Sequence, residues 1–277
     1  MGSTWCAGRY YKKITVRVFD LTLIVPCFNE EKRFTASVWA SYLQQHPQFL
    51  FVFVNDGSTD NTQDFMAQLE AGHNNVSIVN LAKNSGKAQA VRAGMLQALE
   101  KNASPMLGFI DADLAIPLSE INRFVQLLAQ EQHVDIVIGS RVQMLGKKIK
   151  RNTLRHYMSR FVATCICKIL DEPVYDTQCG LKIFRQPAAA ALVQDGFISK
   201  WLFDVELLAR YKTLFGSTAF NEKITELPLN QWTETQRSKL RLHHLPVIAI
   251  DLFKIWRKYF TYNKPEAGPC VGVGHQL

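Results

Sequence analysis

Asp111 and Asp113 stand one residue apart at the end of the apolar run 106–110. Side chains two apart on an extended strand point the same way, so both carboxylates can converge on one hard cation and the phosphate oxygens it holds. That is the chemistry of Mg2+ or Mn2+ bridging a protein and a diphosphate. The competing interpretation is a strand end whose aspartates cap a following helix over 118–132. Neighbouring motifs bear on the choice. An apolar run at 21–26 leads into Pro26-Cys27-Phe28-Asn29-Glu30, and one at 49–56 into Asn55-Asp56-Gly57-Ser58-Thr59-Asp60. Pro26 is expected to stop the first strand and Asn29 to cap the helix after it, leaving Glu30 and Asp56 to reach ribose hydroxyls and a base edge. Asp-Gly-Ser is equally ordinary turn composition. Lys83-Asn84-Ser85-Gly86-Lys87 opens a third helix whose free amides, dipole and Lys87 could hold a phosphate. Only Gly86-Lys87 matches a Walker loop, so ATP hydrolysis loses ground.

The elements that must position these residues alternate. Continuous apolar strands are expected over 21–26, 49–56, 76–81, 106–111 and 134–139. Helical periodicity fills 30–45, 61–71, 87–101 and 118–132, where Phe34, Val38 and Tyr42, or Phe124, Leu127 and Leu128, mark buried faces. Such alternation implies βαβ units and a doubly wound, mostly parallel α/β sheet. Ligands of these sheets bind at the carboxyl ends of the strands, which is where the acidic motifs fall.

Composition sets wider bounds. The 277 residues suit one large domain or one and a half, and the formal charge of +8 points toward anionic partners. Six cysteines, Cys6, Cys27, Cys165, Cys167, Cys179 and Cys270, form no C-x-x-C pair, so reduced thiols in a cytoplasmic protein are expected. No stretch approaches the roughly 18 apolar residues of a transmembrane helix, and no signal-peptide pattern opens the chain. Residues 1–13 and 265–277 read as loose ends.

The combination of Pro26-Cys27-Phe28-Asn29-Glu30, Val54 to Asp60, Asn84 with Gly86-Lys87, Asp111-Ala112-Asp113 and Gly139-Ser140-Arg141 resembles glycosyltransferase family 2, nucleotide-sugar enzymes of the GT-A fold. In the second half, Asp176-Thr177-Gln178-Cys179-Gly180-Leu181-Lys182-Ile183-Phe184 is similar to a segment of the dolichyl-phosphate glucosyltransferases and related polyprenyl-phosphate hexose synthases. So are Phe203-Asp204-Val205-Glu206-Leu207-Leu208, Trp232-Thr233-Glu234 and Ser238-Lys239-Leu240. The resemblance spans about 21 to 240. It implies a GT-A catalytic domain over 1–240, with a C-terminal amphipathic helix and tail over 241–277. It also implies inverting transfer of a hexose from UDP-glucose, or a like donor such as a GDP-hexose, to a polyprenyl phosphate. On this resemblance Asp111 would contact the nucleotide and Asp113 would ligate the metal. Pro26, Phe28, Glu30, Asp56 and Lys87 would hold base, ribose and diphosphate, while Arg141, Arg151, Arg155 and Lys239 would gather phosphates. Ala115 stands where some dolichyl-phosphate mannose synthases carry a glutamine, so water would complete the metal shell.

The mechanism follows from charge. Displacing a nucleoside diphosphate builds negative charge on the leaving oxygens, which a metal with Arg or Lys neutralises. A phosphate acceptor, with a second pKa of about 6, attacks already ionised. A sugar hydroxyl needs a base, for which Asp176, Asp204 and Glu206 are candidates; the last two could instead cap a helix or pair with Arg210. For a lipid acceptor, a helix over 246–260 places Ile248, Leu252, Ile255, Trp256 and Tyr259 on one face and Asp251, Lys254 and Lys258 opposite, suited to a peripheral membrane surface at its inner, cytoplasmic side or to packing on the domain. Other classes fare less well. A sugar nucleotidyltransferase should show G-x-G-T-R after its first strand, and a haloacid-type phosphatase a Thr at position 115. A family 2 enzyme acting on a glycan hydroxyl, or a nucleotide-sugar binder without turnover, remains open. Nucleic acid is not an expected partner, because no basic and aromatic platform accompanies the charge.

Overall fold

The computed structural model describes residues 19–102, 104–150, 153–233 and 245–261. Its centre is a seven-stranded sheet in the order β3-β2-β1-β4-β7-β5-β8. Strands β1 (Leu21–Cys27), β2 (Phe49–Asn55), β3 (Val76–Asn80) and β4 (Met106–Ile110) are mutually parallel. β5 (Ile136–Ser140) runs parallel to β8 (Ile224–Pro228), and β7 (Leu181–Arg185) lies antiparallel between β4 and β5. A short parallel pair joins β6 (Lys148–Lys150) to β9 (Gln231–Thr233).

Helices cover both faces, which is why the central strands read as unbroken apolar runs. On one face α1 (Ala36–Gln45), α2 (Thr62–Gly72) and α4 (Glu120–Gln130) bury Trp39, Met66 and Phe124 against the sheet. The other face carries α3 (Lys87–Lys101), α5 (Thr153–Leu170), α6 (Gln186–Val193), α7 (Phe203–Lys223) and α8 (Leu245–Trp256). α7 is broken at Gly216, whose φ of 83° no helix accommodates. A π-helical turn over Arg257–Thr261 follows α8. The architecture is thus the expected mostly parallel α/β sheet with a C-terminal helix.

Four expectations change. Val38, expected on a buried face of α1, is 45% exposed, and Trp39, Tyr42 and Leu43 turn inward instead. Pro26 does not end β1: the strand continues through Cys27, paired to β2, while β4 partners only Thr22, Leu23 and Ile24. Proline therefore sits beyond the β4 ladder, where a missing amide costs little. The first helix begins at Ala36, because Glu30 O accepts the amides of Arg33 and Phe34 in a separate turn. Asn29 has φ 52° and does not cap it. Lastly, the face of α8 expected at an interface is largely turned inward. Ile248, Leu252, Ile255 and Tyr259 join the core, and Asp251 is buried with them. Exposed instead are Val247, Ile250, Phe253 and Trp256. No described helix is long and apolar enough to cross a membrane.

Candidate active site

The loops that leave β1 and β2 are stitched together. Asn29 accepts the Thr59 amide at 2.9 Å through Oδ1 and donates its own amide to Ser58 Oγ at 3.1 Å. Thr62 Oγ1 accepts the Glu30 amide at 2.8 Å, and the Glu30 carboxylate pairs with Arg33 at 2.6 Å. Phe28 and Pro26 lie half-buried beside this junction. Asp56, expected at a ribose or base edge, accepts the Ser85 amide on one oxygen at 2.7 Å and the Gly86 amide on the other at 2.8 Å. Its carboxylate braces the turn that opens α3. Gly57 is required there: with φ 67°, it leaves so little room that a Cβ would sit 2.6 Å from the Asn84 amide nitrogen.

Lys87, the first residue of α3, reaches across the strand ends and pairs with Asp111 at 2.6 Å. Its ammonium also lies 5.5 Å from the Phe109 ring centroid and 5.6 Å from that of Phe203. Desolvation pulls the Lys87 pKa down, but the charges of Asp111, Asp204 and Asp113 outweigh it and leave the group raised and charged. Asp113 stands one residue beyond Ala112 and accepts the Ala115 amide at 3.1 Å, in a loop where Leu114 takes φ 54°. That loop is braced from afar, since Ala115 O accepts the Thr233 amide of β9 at 3.0 Å. The pairing of Ile110 with Leu181 brings Gly180 beside Asp111. A Cβ on Gly180 would lie 2.2 Å from Asp111 Oδ2, so only glycine leaves the carboxylate its place.

The two carboxylates suit a hard divalent cation. Among the described residues no group of three His, Cys, Asp or Glu side chains gathers around a possible ion. This donor set matches the habit of Mg2+, which takes one or two carboxylates and completes its shell with phosphate oxygens and water.

The remaining candidates are engaged otherwise. Asp176 forms a two-pronged ion pair with Arg141, at 2.7 and 2.8 Å, and takes the Arg141 amide at 3.0 Å. Burial would raise its pKa, but Arg141 dominates and holds it at about 2. Such a carboxylate is a poor proton acceptor. Arg141 in turn lies 5.4 Å from the Trp232 ring centroid. Asp204 accepts from Lys182 at 2.5 Å, and Glu206 pairs with Arg210 at 2.9 Å. All three candidate bases are therefore bound to cations, a geometry that argues against proton abstraction. Arg151 and Lys239 lie outside the described residues, as does the side chain of Arg155. Lys182 is the residue that sequence reasoning missed. It is 1 % exposed as the second residue of β7 and also donates to Cys179 O at 2.9 Å. Its only signal was a charge inside the otherwise apolar run Leu181-Lys182-Ile183-Phe184.

The family model of glycosyl transferase family 2 matches residues 22–191 of the chain. The chain belongs to glycosyltransferase family 2. This glycosyltransferase is 30% identical over 246 residues to a dolichyl-phosphate beta-glucosyltransferase of Trichomonas vaginalis, an alignment covering 84% of this chain and 70% of the relative. A Drosophila melanogaster protein of the same name is 31% identical over 262 residues, covering 87% and 76%. The fold is shared with glucosyl-3-phosphoglycerate synthase from Mycobacterium tuberculosis, crystallised with Mn2+, UDP-glucose and phosphoglyceric acid. The two superpose with a TM-score of 0.63 at 16% identity, covering 86% of this glycosyltransferase and 79% of that chain.

Proposed function

We propose that this glycosyltransferase moves glucose from UDP-glucose to a polyprenyl phosphate of the dolichyl type, with inversion at the anomeric carbon and with Mg2+ or Mn2+ held by Asp111 and Asp113. The relatives named as dolichyl-phosphate beta-glucosyltransferases support this acceptor and sugar, and the Mn2+ and UDP-glucose bound by the fold neighbour support the donor. One observation carries the choice of acceptor. The three carboxylates that the sequence offers as bases, Asp176, Asp204 and Glu206, are each held by a cation. A phosphate monoester, largely ionised at neutral pH with a second pKa of about 6, attacks without one. A glycan hydroxyl does not.

In this reading the turn braced by Asp56, whose Ser85 and Gly86 amides are engaged by that carboxylate, sets Lys87 and the start of α3 toward the diphosphate. Lys87 and Asp111 set the leaving group against the cation site, and the metal supplies charge neutralisation on the departing oxygens. Arg141, paired with Asp176, lies over the Trp232 ring. The test is turnover with UDP-glucose, Mn2+ and a short-chain polyprenyl phosphate, against the matching polyprenol and simple glycan acceptors. Turnover restricted to the phosphate and abolished by EDTA is expected. A metal-independent preference for GDP-mannose would overturn the donor and metal assignments, and transfer to the hydroxyl acceptors would overturn the lipid phosphate.

A lipid acceptor requires access to a bilayer surface, and the exposed stripe of α8 suits it. Val247, Ile250, Phe253 and Trp256 are flanked by exposed Lys254, Arg257 and Lys258. An interfacial helix combines these features, with roughly 1 kcal/mol of attraction per basic residue near an anionic surface. Replacing Val247, Ile250 and Phe253 together by serine should cut flotation with phosphatidylserine vesicles at least about tenfold, while leaving the thermal midpoint close to wild type. Deleting α8 would be uninformative, because Ile255 and Tyr259 belong to the core. Unchanged flotation of the triple variant would remove this surface from the proposal.

A further inference from the structure

The segment 194–202, between α6 and α7, is clamped from three sides. From α3, Arg92 donates to Val193 O at 2.9 Å, to Asp195 O at 3.1 Å and to Gln194 O. From α7, Arg210 donates to Leu192 O and Asp195 O at 2.8 Å and to Gly196 O at 2.7 Å. Buried Glu206 accepts the Ile198 amide at 2.8 Å and the Tyr259 hydroxyl at 2.8 Å. The third clamp comes from the C-terminal helix. Ser199 Oγ accepts the amides of Trp201 and Leu202, at 3.2 and 2.8 Å, and donates to Asp251 of α8 at 2.6 Å.

An exposed loop needs no such bracing to stay folded, so what it presents is informative. Its fixed backbone lays the aliphatic stem of Lys200 against the turn that opens α3. A Cβ built on Gly86 would lie 3.8 Å from Lys200 Cδ and 3.9 Å from its Cβ and Cγ. Among the described residues the Lys200 ammonium has no ion-pair or hydrogen-bond partner. Around that turn the four carboxylates Asp56, Asp111, Asp113 and Asp204 still outnumber the three ammonium groups of Lys83, Lys87 and Lys182. A doubly negative diphosphate entering here adds to the imbalance, and a single divalent cation does not remove it. A further cation on the α3 side of the site would reduce that imbalance, and Lys200 stands there on the clamped segment.

We infer that Lys200 contacts the diphosphate of the bound nucleotide sugar, and that Ser199 and Asp251 are positioning residues that make the C-terminal helix part of the donor site. The inference rests on the donor reading above.

Calorimetric titration with UDP in the presence of Mn2+, using the full chain, tests it. Lys200→Ala should weaken UDP binding about tenfold, as expected for one charge-assisted hydrogen bond. Lys200→Arg should recover binding to within about threefold, and affinity for uridine, which lacks phosphate, should not move in either variant. Asp251→Ala should weaken UDP binding in the same direction, and the Lys200→Ala/Asp251→Ala double variant should lose little more than Lys200→Ala, since both changes act on one contact. Lys200→Ala that binds UDP like the wild type overturns the inference alone. A wild type that binds UDP-glucose and UDP no better than uridine overturns the donor reading, and the inference with it.

Discussion

Asp113→Ala lowers kcat by about a thousandfold or more, with the thermal midpoint within a few degrees of wild type. The size follows from what the side chain is proposed to do. A metal ligand in a transferase contributes several kcal/mol of transition-state charge stabilisation, and about 4 kcal/mol corresponds to about three powers of ten in rate. The small effect on stability follows from its surroundings. Asp113 is half-buried, and its bond to the Ala115 amide closes a local loop that β9 also supports. Steady-state kinetics at saturating UDP-glucose across a Mn2+ series, alongside thermal unfolding, reads both. Asp111→Ala is a less clean probe, because it also strips Lys87 of its partner at 2.6 Å. A kcat for Asp113→Ala within tenfold of wild type would remove Asp113 from the metal site.

Asp204→Ala has the opposite signature, a loss of stability first. Lys182 and Asp204 are 1 % and 4 % exposed, and they meet at 2.5 Å between sheet and helix. Removing one partner strands a buried charge, which costs about 3–5 kcal/mol. For a chain of this size that is a drop in midpoint on the order of 10 °C. The paired replacement Lys182→Met with Asp204→Leu should recover most of it, since apolar side chains of similar volume fill the same space without a desolvation penalty. Thermal unfolding of the three variants distinguishes this from a catalytic base. A base would show Asp204→Asn with an unchanged midpoint and a collapsed kcat. If Asp204→Ala unfolds within about 1 kcal/mol of wild type, the pair is not the support described.

The first half of the chain was legible because its strands are covered on both faces. Phe49 to Val54 is entirely apolar, and such a run has few alternatives when helical periodicity surrounds it. The Gly86-Lys87 turn and the Asp111-Ala112-Asp113 pair were legible too, since they sit at strand and helix ends, where function concentrates in these sheets. The second half resisted reading for specific reasons. β7 carries Lys182 as its second residue, and its neutralising partner lies 22 residues later on another element. A local pattern contains no trace of that pairing. α8 is apolar around most of its circumference, so periodicity alone could not decide which side turns inward. Asp251 decides it, through a bond to Ser199 that no spacing rule anticipates. The same holds for Gly180, whose missing Cβ matters only because β7 runs antiparallel to β4.

That antiparallel strand also has a consequence for how the protein is made. Synthesis delivers Asp56, Lys87, Asp111 and Asp113 early, yet Asp111 gains the support of Gly180 O only when residues far downstream arrive. Until β7 inserts, β4 and β5 each present an unsatisfied row of amides and carbonyls, and β5 also waits for β8. Open strand edges of this kind recruit other chains, and their closure across a long stretch of sequence is slow. A nascent chain released before Leu181 therefore holds most of the donor-site residues and none of the β7 pairing that closes the sheet around them.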